Sequence, residues 1–379
     1  MLPIIIFWCA IVFLAYTHAG YPLLIWVWAR LRRRRPMALI EEGPLPMVSI
    51  LVVAYNEAAR IEGRLENLLA LDYPGDRLEI ILASDGSTDD TASKVQRFQR
   101  DGFRFIAHDR RSGKTSVLNE LIPQARGDIV LLADARQRFA PDALRRLVRH
   151  FSDPAVGAVS GELIIVNGKE GSAVGEGVGF YWRYEKFIRR TESLIDSTVG
   201  VTGAIYALRR ELFEPIPDDT LLDDVLIPMR IVRRGYRVLF EPTALAWDHS
   251  APTAEAEFAR KVRTLAGNFQ LFARAPWLLN PRADRIWLQA FSHKACRLLS
   301  PFCLAAALGA NLLLLNEPFY ALTLAGQLAL YGAAACGHLL RNGGGNYRLL
   351  GVPYAFCLLN WAVVVGLLRY INGRQRVTW

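Results

Sequence analysis

The run Met47-Val48-Ser49-Ile50-Leu51-Val52-Val53-Ala54, followed at once by Tyr55-Asn56-Glu57, sets the reading of this chain. Eight residues, nearly all apolar and several β-branched, have the length and composition of a strand buried on both faces. The polar residues behind it suit a strand-to-helix turn. The same grammar recurs downstream. Leu78–Ala83, Phe103–Ala107, Asp128–Ala133 and Val156–Ser160 read as strands, with helical stretches near 57–70, 88–100, 114–124 and 141–150 between them. Strands alternating with helices predict an α/β domain with a mostly parallel sheet. Ligands of such sheets bind beyond the carboxyl ends of the strands. Asn56, Asp85, Lys114 and Asp134 all fall there.

Working outward, the chain becomes apolar at both ends. Of its 379 residues 52% are hydrophobic and 21% charged, too apolar for an ordinary soluble protein and too charged for an all-membrane one. Residues Leu2 to Ala29 can span a bilayer. The basic run Arg30 to Arg35 follows this stretch, the reverse of a cleavable signal peptide. The arrangement predicts a signal anchor (1–29) with its N-terminus outside, then a basic linker (30–46) closed by Glu42-Gly43-Pro44-Leu45-Pro46. A cytosolic domain of residues 47–252 follows. The net charge is +9, and the densest basic run, Arg30 to Arg35, lies at the membrane flank, which points to anionic lipid headgroups rather than nucleic acid. The five cysteines lie in or beside the apolar ends and none has metal spacing, which fits a reducing compartment for the middle.

Beyond the domain, residues 253–297 read as amphipathic interface helices. Phe258, Val262, Leu265 and Phe269 share one face of Thr253–Arg274, and Ile286–Arg297 leads into the membrane. Three apolar segments follow within 298–370, near 298–315, 319–340 and 349–368, before the tail 371–379. Three crossings from the cytosol place the C-terminus outside, yet Arg369, Arg374 and Arg376 favour the inside. The conflict is relieved if one segment is re-entrant or lies in the interface.

The chemistry-bearing stretches are five. Ala54-Tyr55-Asn56-Glu57 follows the first strand. Ser84-Asp85-Gly86-Ser87-Thr88-Asp89-Asp90-Thr91 follows the second; its Asp can accept hydrogen bonds from a base or ribose, or simply cap a helix. Arg111-Ser112-Gly113-Lys114-Thr115 is not a P-loop, because His108 stands where that motif needs glycine. Its Arg111 and Lys114 suit a diphosphate, or a solvated basic loop. Asp134, in Leu131-Leu132-Ala133-Asp134-Ala135-Arg136, suits a hard divalent cation beside phosphates, or a helix cap. Leu221-Leu222-Asp223-Asp224 offers a general base, or acids favoured at a helix N-terminus.

Taken in order, these motifs resemble the family 2 glycosyltransferases with the GT-A fold, a group that includes the membrane-bound cellulose, chitin and hyaluronan synthases and the ceramide glucosyltransferases. The resemblance runs from about Val48 to Asn268. It implies a Rossmann-like GT-A domain and inverting transfer of a sugar from a nucleotide-sugar donor, typically a UDP-sugar, to a glycan or lipid-linked acceptor. It implies donor contacts at Ala54, Asn56, Glu57, Asp85, Arg111, Lys114, Asp134 and Arg263, with Gly113, Leu118 and Asn119 completing the R-x-G-K…L-N element. Thr202, Gly203 and Asp223 fall on the acceptor side, and Asp224 falls on the catalytic base. Asp134 matches the first aspartate of D-x-D, which binds Mg2+ or Mn2+. Arg136 replaces the second aspartate, and His249, in Trp247-Asp248-His249, is the substitute metal ligand expected here; alternatively Arg136 supplies part of the cation's charge. Leu222-Asp223-Asp224 replaces T-E-D, while Arg260 and Thr264 replace the glutamine and tryptophan of Q-x-x-R-W. The missing tryptophan and the few membrane segments weaken a polymer-channel reading. The alternatives are a processive polysaccharide synthase and an inactive nucleotide-binding partner subunit. The family's distribution suggests a bacterial inner membrane with the catalytic domain in the cytosol.

Overall fold

The computed structural model describes residues 1–31, 44–98, 101–166, 173–249, 253–340 and 348–375. Most of the basic run (Arg32–Arg35), the glycine-rich link 341–347 and Arg376 lie outside them.

The anchor is one long helix, α1 (Leu2–Ala15) and α2 (Tyr21–Leu31) joined by a π-helical turn at Tyr16–Gly20. The domain then alternates. Strand β1 (Val48–Ala54) is buried along its whole length. It is followed by α3 (Ile61–Leu69), β2 (Leu78–Asp85), α4 (Thr91–Val95), β3 (Phe103–His108), α5 (Lys114–Leu121) and β4 (Ile129–Asp134). These four strands pair in parallel in the order β3-β2-β1-β4, as the alternation predicts. The strands start and stop within a residue or two of their expected limits. The helices are shorter: 57–70 contracts to Ile61–Leu69, since Asn56 and Glu57 are spent on a turn.

The second half is mixed. After β5 (Arg138–Phe139), α6 (Ala143–Val148), β6 (Val156–Val166) and α7 (Ala173–Ile195) come β7 (Ile205–Arg209), α8 (Asp223–Arg233) and β8 (Arg237–His249). β7 runs antiparallel between β4 and β6, and β8 pairs parallel with β6, completing an eight-stranded sheet, β3-β2-β1-β4-β7-β6-β8-β5. Apolar side chains of the two sheet faces form two cores, one under α5 and α8 and one under α3 and α6.

Helix α9 (Ala254–Arg274) begins at a Thr253 cap whose hydroxyl accepts from the Ala256 amide. It packs through the predicted face, with Val262 buried. The remaining helices are α10 (Trp287–Gln289), α11 (Cys296–Leu313), α12 (Pro318–Leu339) and α13 (Arg348–Ile371). The expected amphipathic lead-in at 286–297 is continuous with α11, through a π-helical turn at Ala290–Ala295. Among the described residues, four helices are long and apolar enough to cross a membrane: Leu2–Leu31, Trp287–Leu313, Pro318–Leu339 and Leu349–Ile371.

Candidate active site

The site grows from the carboxyl ends of β1, β2 and β4. Behind β1, Asn56 takes φ 54°, the left-handed region that asparagine tolerates better than most residues. In that pose its side-chain oxygen accepts from the Thr88 amide at 2.9 Å, and its own amide donates to Ser87 Oγ at 3.1 Å. The Glu57 amide donates to Thr91 Oγ1 at 2.9 Å. The first two motifs are thereby laced into one wall.

Asp85 is buried and both its oxygens are engaged. Oδ1 accepts from the Ser112 amide at 2.7 Å and from Ser112 Oγ at 3.0 Å; Oδ2 accepts from the Gly113 amide at 2.8 Å. Charge-assisted bonds of this kind are the strong ones, so Asp85 braces the loop that carries Arg111 and Lys114. Gly86, at φ 67°, is required by the close approach: a Cβ there would lie 2.5 Å from the Arg111 amide nitrogen. The Arg111 guanidinium lies over the Tyr55 ring, 3.7 Å from its centroid.

Lys114 is the first residue of α5. Its ammonium stands 3.0 Å from Asp134 Oδ1 and 3.5 Å from Asp223 Oδ2, linking the end of β4 to the start of α8. Burial works against the lysine's charge, but the two carboxylates outweigh it and raise its pKa. Asp134 is held below the usual carboxylate range: burial opposes ionisation, and Lys114, Arg136 and Arg64 overcome it. Asp223 and Asp224 open α8, where the helix dipole favours acid. Asp224 behaves oppositely to Asp134. Burial first, then the Asp223 carboxylate, push its pKa up to about 6, against the pull of Lys114, Lys294 and Arg189. A carboxylate of that pKa suits a general base near neutral pH.

The residues expected on the acceptor side lie close to Asp224. The Val201 amide donates to the Asp224 carbonyl at 2.9 Å, and a Cβ on Gly203 would sit 3.2 Å from Asp224 Oδ2. Thr202 donates its amide to Ser160 Oγ, and its hydroxyl accepts from Arg189 at 2.9 Å. Arg263 is half-buried on α9, one turn before Gly267. There α9 presses on the loop leading to α8: a Cβ on Gly267 would lie 2.6 Å from Leu222 Cγ. Ala54 is buried at the end of β1 and offers the site only backbone.

The metal expectation meets a particular arrangement. Arg136 turns to buried Asp248, with its Nη2 3.4 Å from Oδ2, which also accepts from Gln137 at 3.0 Å. His249 follows at the exposed end of β8. Among the described residues, no group of three or more His, Cys, Asp or Glu side chains is placed to hold a metal ion. A cation that bridges substrate phosphates needs only one or two protein carboxylates. Asp134, a third exposed, fits that role, whereas an all-protein cage does not fit.

Sequence reasoning missed several participants. Arg64, inside the amphipathic α3, is buried over the Phe139 ring and donates to the Gln137 carbonyl at 2.8 Å. Burial lowers its pKa to about 9 although Asp134 opposes this. A lone arginine on an otherwise apolar helix face was the available signal. Arg189 on α7 and the buried hydroxyl of Tyr206 carried none. Of Tyr181-Trp182-Arg183-Tyr184, the Tyr181 side chain lies outside the described residues. Lys261 sits over the Trp182 ring, and Tyr184 donates to the His18 carbonyl of the anchor at 3.0 Å.

Residues 49–216 match the family model described as Glycosyl transferase family 2. Poly-beta-1,6-N-acetyl-D-glucosamine synthase of Staphylococcus aureus is 28% identical over 247 residues, 64% of this chain and 58% of that protein. The enzyme of that name from Staphylococcus epidermidis is 28% identical over 236 residues, 61% of this chain and 56% of its own. The chain thus spans under two-thirds of the length of these relatives. Among solved structures, the mannosyltransferase PcManGT from Pyrobaculum calidifontis, in complex with GDP-Man and Mn2+, aligns over 97% of this chain and 99% of its own, with a TM-score of 0.73 and 26% identity. The GT-A expectation for the sheet is borne out by this alignment.

Proposed function

We propose, from the match of residues 49–216 to the family model described as Glycosyl transferase family 2, that this chain is a membrane-embedded, inverting glycosyltransferase. It moves a sugar from a nucleoside-diphosphate donor to a hydroxyl of a glycan or lipid-linked acceptor, in polysaccharide or glycolipid synthesis. The acceptor oxygen attacks the anomeric carbon as the bond from that carbon to the diphosphate oxygen breaks. The acceptor proton passes to Asp224, and the nucleoside diphosphate leaves. Lys114 and Arg263 stabilise its developing charge, a term worth most where water is excluded. Tyr55 and Arg111 form the nucleoside end, with Asp85 bracing the loop that carries Arg111 and Asn56 and Glu57 holding that wall; Thr202, Gly203 and Asp223 orient the acceptor. Asp134, with His249 as a second protein ligand, would hold a divalent cation, which when bound would supply Lewis-acid charge to the leaving group. The catalytic domain faces the cytosol of a bacterial inner membrane.

One observation carries this reading: Asp134, Lys114, Asp223 and Asp224 converge, with the Lys114 ammonium 3.0 Å from Asp134 and 3.5 Å from Asp223, an arrangement that lowers the pKa of Asp134 while burial and Asp223 raise that of Asp224. Such divergence of neighbouring carboxylates assigns acid–base roles. The test is nucleoside-diphosphate release by the purified, lipid-reconstituted chain with UDP- and GDP-sugars, with Mg2+, Mn2+ or chelator. Release that depends on one donor and on the cation is expected. Absence of both release and nucleotide binding removes the proposal. The synthase relatives favour a second reading, processive polymer synthesis, which product length decides.

The base is also tested through its neighbour. Removing the Asp223 charge makes Asp224 easier to ionise, so its pKa falls. Asp223→Asn is expected to move the acid limb of the rate profile to lower pH by about one unit, the low end of a neighbouring charge's effect. An unmoved limb means that another group titrates.

A further inference from the structure

We propose that only three of the four apolar helices cross the membrane, and that α13 instead runs along the catalytic face of the bundle, bringing residue 375 to the same side as the GT-A domain. The inference rests on the membrane reading above and on contacts that fix the level of each helix.

The far side is marked by aromatic contacts. Phe7 of α1 meets Tyr320 at the start of α12, with ring centroids 5.1 Å apart, and Trp8 stacks on Phe319 at 5.8 Å. The domain side is marked where Arg297, just inside α11, pairs with Glu185 of α7 at 2.8 Å, and where Tyr184 bonds His18. From Tyr320, α12 returns toward the domain: Gln327 already bonds the Leu304 carbonyl, midway down α11. Ten residues later, about 15 Å further along a helix, Gly337 has regained the domain level.

Helix α13 begins there. A Cβ on Gly337 would lie 2.9 Å from the Leu350 carbonyl, and the His338 and Tyr354 rings are 5.8 Å apart. Its middle touches the domain side again, with Phe356 5.4 Å from His18. Its end is decisive. A Cβ on Gly366 would be 3.0 Å from the Ala266 amide nitrogen, and Tyr370 stacks on Phe269 with centroids 6.4 Å apart. That part of α9 belongs to the catalytic domain: Gln270 accepts from the Leu221 amide, and Arg274 pairs with Asp219, four residues before Asp223. A spanning helix that started at the domain level would carry residue 370 across about 30 Å of hydrocarbon, not onto α9.

The amino-acid pattern agrees. Leu349, Val352, Trp361 and Leu368 are exposed, a surface for lipid chains continuous in character with the exposed faces of α1 and α11. Arg369 and Arg374 lie at the domain end, where the positive-inside rule wants them once α13 is not counted as a crossing.

Single cysteines in a chain whose five native cysteines are replaced by alanine test the proposal in sealed, oriented membrane vesicles with a membrane-impermeant maleimide. Exposed Ser93→Cys marks the domain side and exposed Asn316→Cys, in the α11–α12 turn, the far side. Asn372→Cys is expected to label with Ser93→Cys, and at least tenfold faster than Asn316→Cys when the domain faces outward. Labelling of Asn372→Cys together with Asn316→Cys overturns the proposal. Equal labelling of the two markers overturns the membrane reading itself.

Discussion

Asp224→Asn is expected to bind the donor nucleotide as the parent does and to lose turnover by about a hundred- to ten-thousandfold, the range for removing a general base. The amide keeps the shape that Gly203 is packed against, so the loop at Thr202–Gly203 stays in place. What changes is the proton acceptor. An amide cannot take the acceptor hydroxyl's proton at any pH, so the residual rate should also lose the titration near pH 6 that burial and Asp223 give the carboxylate. Calorimetric nucleotide binding and a pH profile of nucleoside-diphosphate release read the two halves separately. Turnover near the parent's would remove Asp224 from the mechanism, and lost binding with lost turnover would make it a structural residue.

Lys114→Met tests the opposite charge and should differ in kind. The side chain that bridges Asp134 and Asp223 is replaced by one of similar length without charge. Loss of one preorganised cation at the leaving group costs about a hundred- to a thousandfold in rate, and donor binding weakens as well if, as proposed, the same ammonium faces the diphosphate. A second consequence carries the sign. Lys114 helps keep Asp224 ionised, so its removal raises the Asp224 pKa and moves the acid limb to higher pH. Asp223→Asn moves it the other way. Opposed shifts in the two variants would tie the three residues into one electrostatic unit. Shifts in the same direction would separate them.

Much of the candidate site is legible in the amino-acid sequence. The strands of the parallel half came from unbroken apolar runs, because a strand covered on both faces must be apolar throughout. Asp85, Lys114 and Asp134 were legible because polar residues just past such runs are where a sheet presents chemistry. Helix limits were less legible. Asn56 and Ser112 spend their hydrogen bonds on turns, and no local pattern separates a helix's first turn from a turn that holds a loop.

The sequence by itself determined the α/β alternation, the apolar ends and the order of motifs, since each depends on residue type and spacing along the chain. Only the tertiary structure decided the pairings: both oxygens of Asp85 on the Ser112–Gly113 loop, Arg136 on Asp248, Arg64 beneath the β4 loop, and the end of α13 on α9. The charge pair Arg136–Asp248 joins residues 112 positions apart, and Coulomb energy depends on distance in space, not in sequence. Hydropathy reports that a segment prefers lipid to water; it carries no information about the direction in which the segment runs.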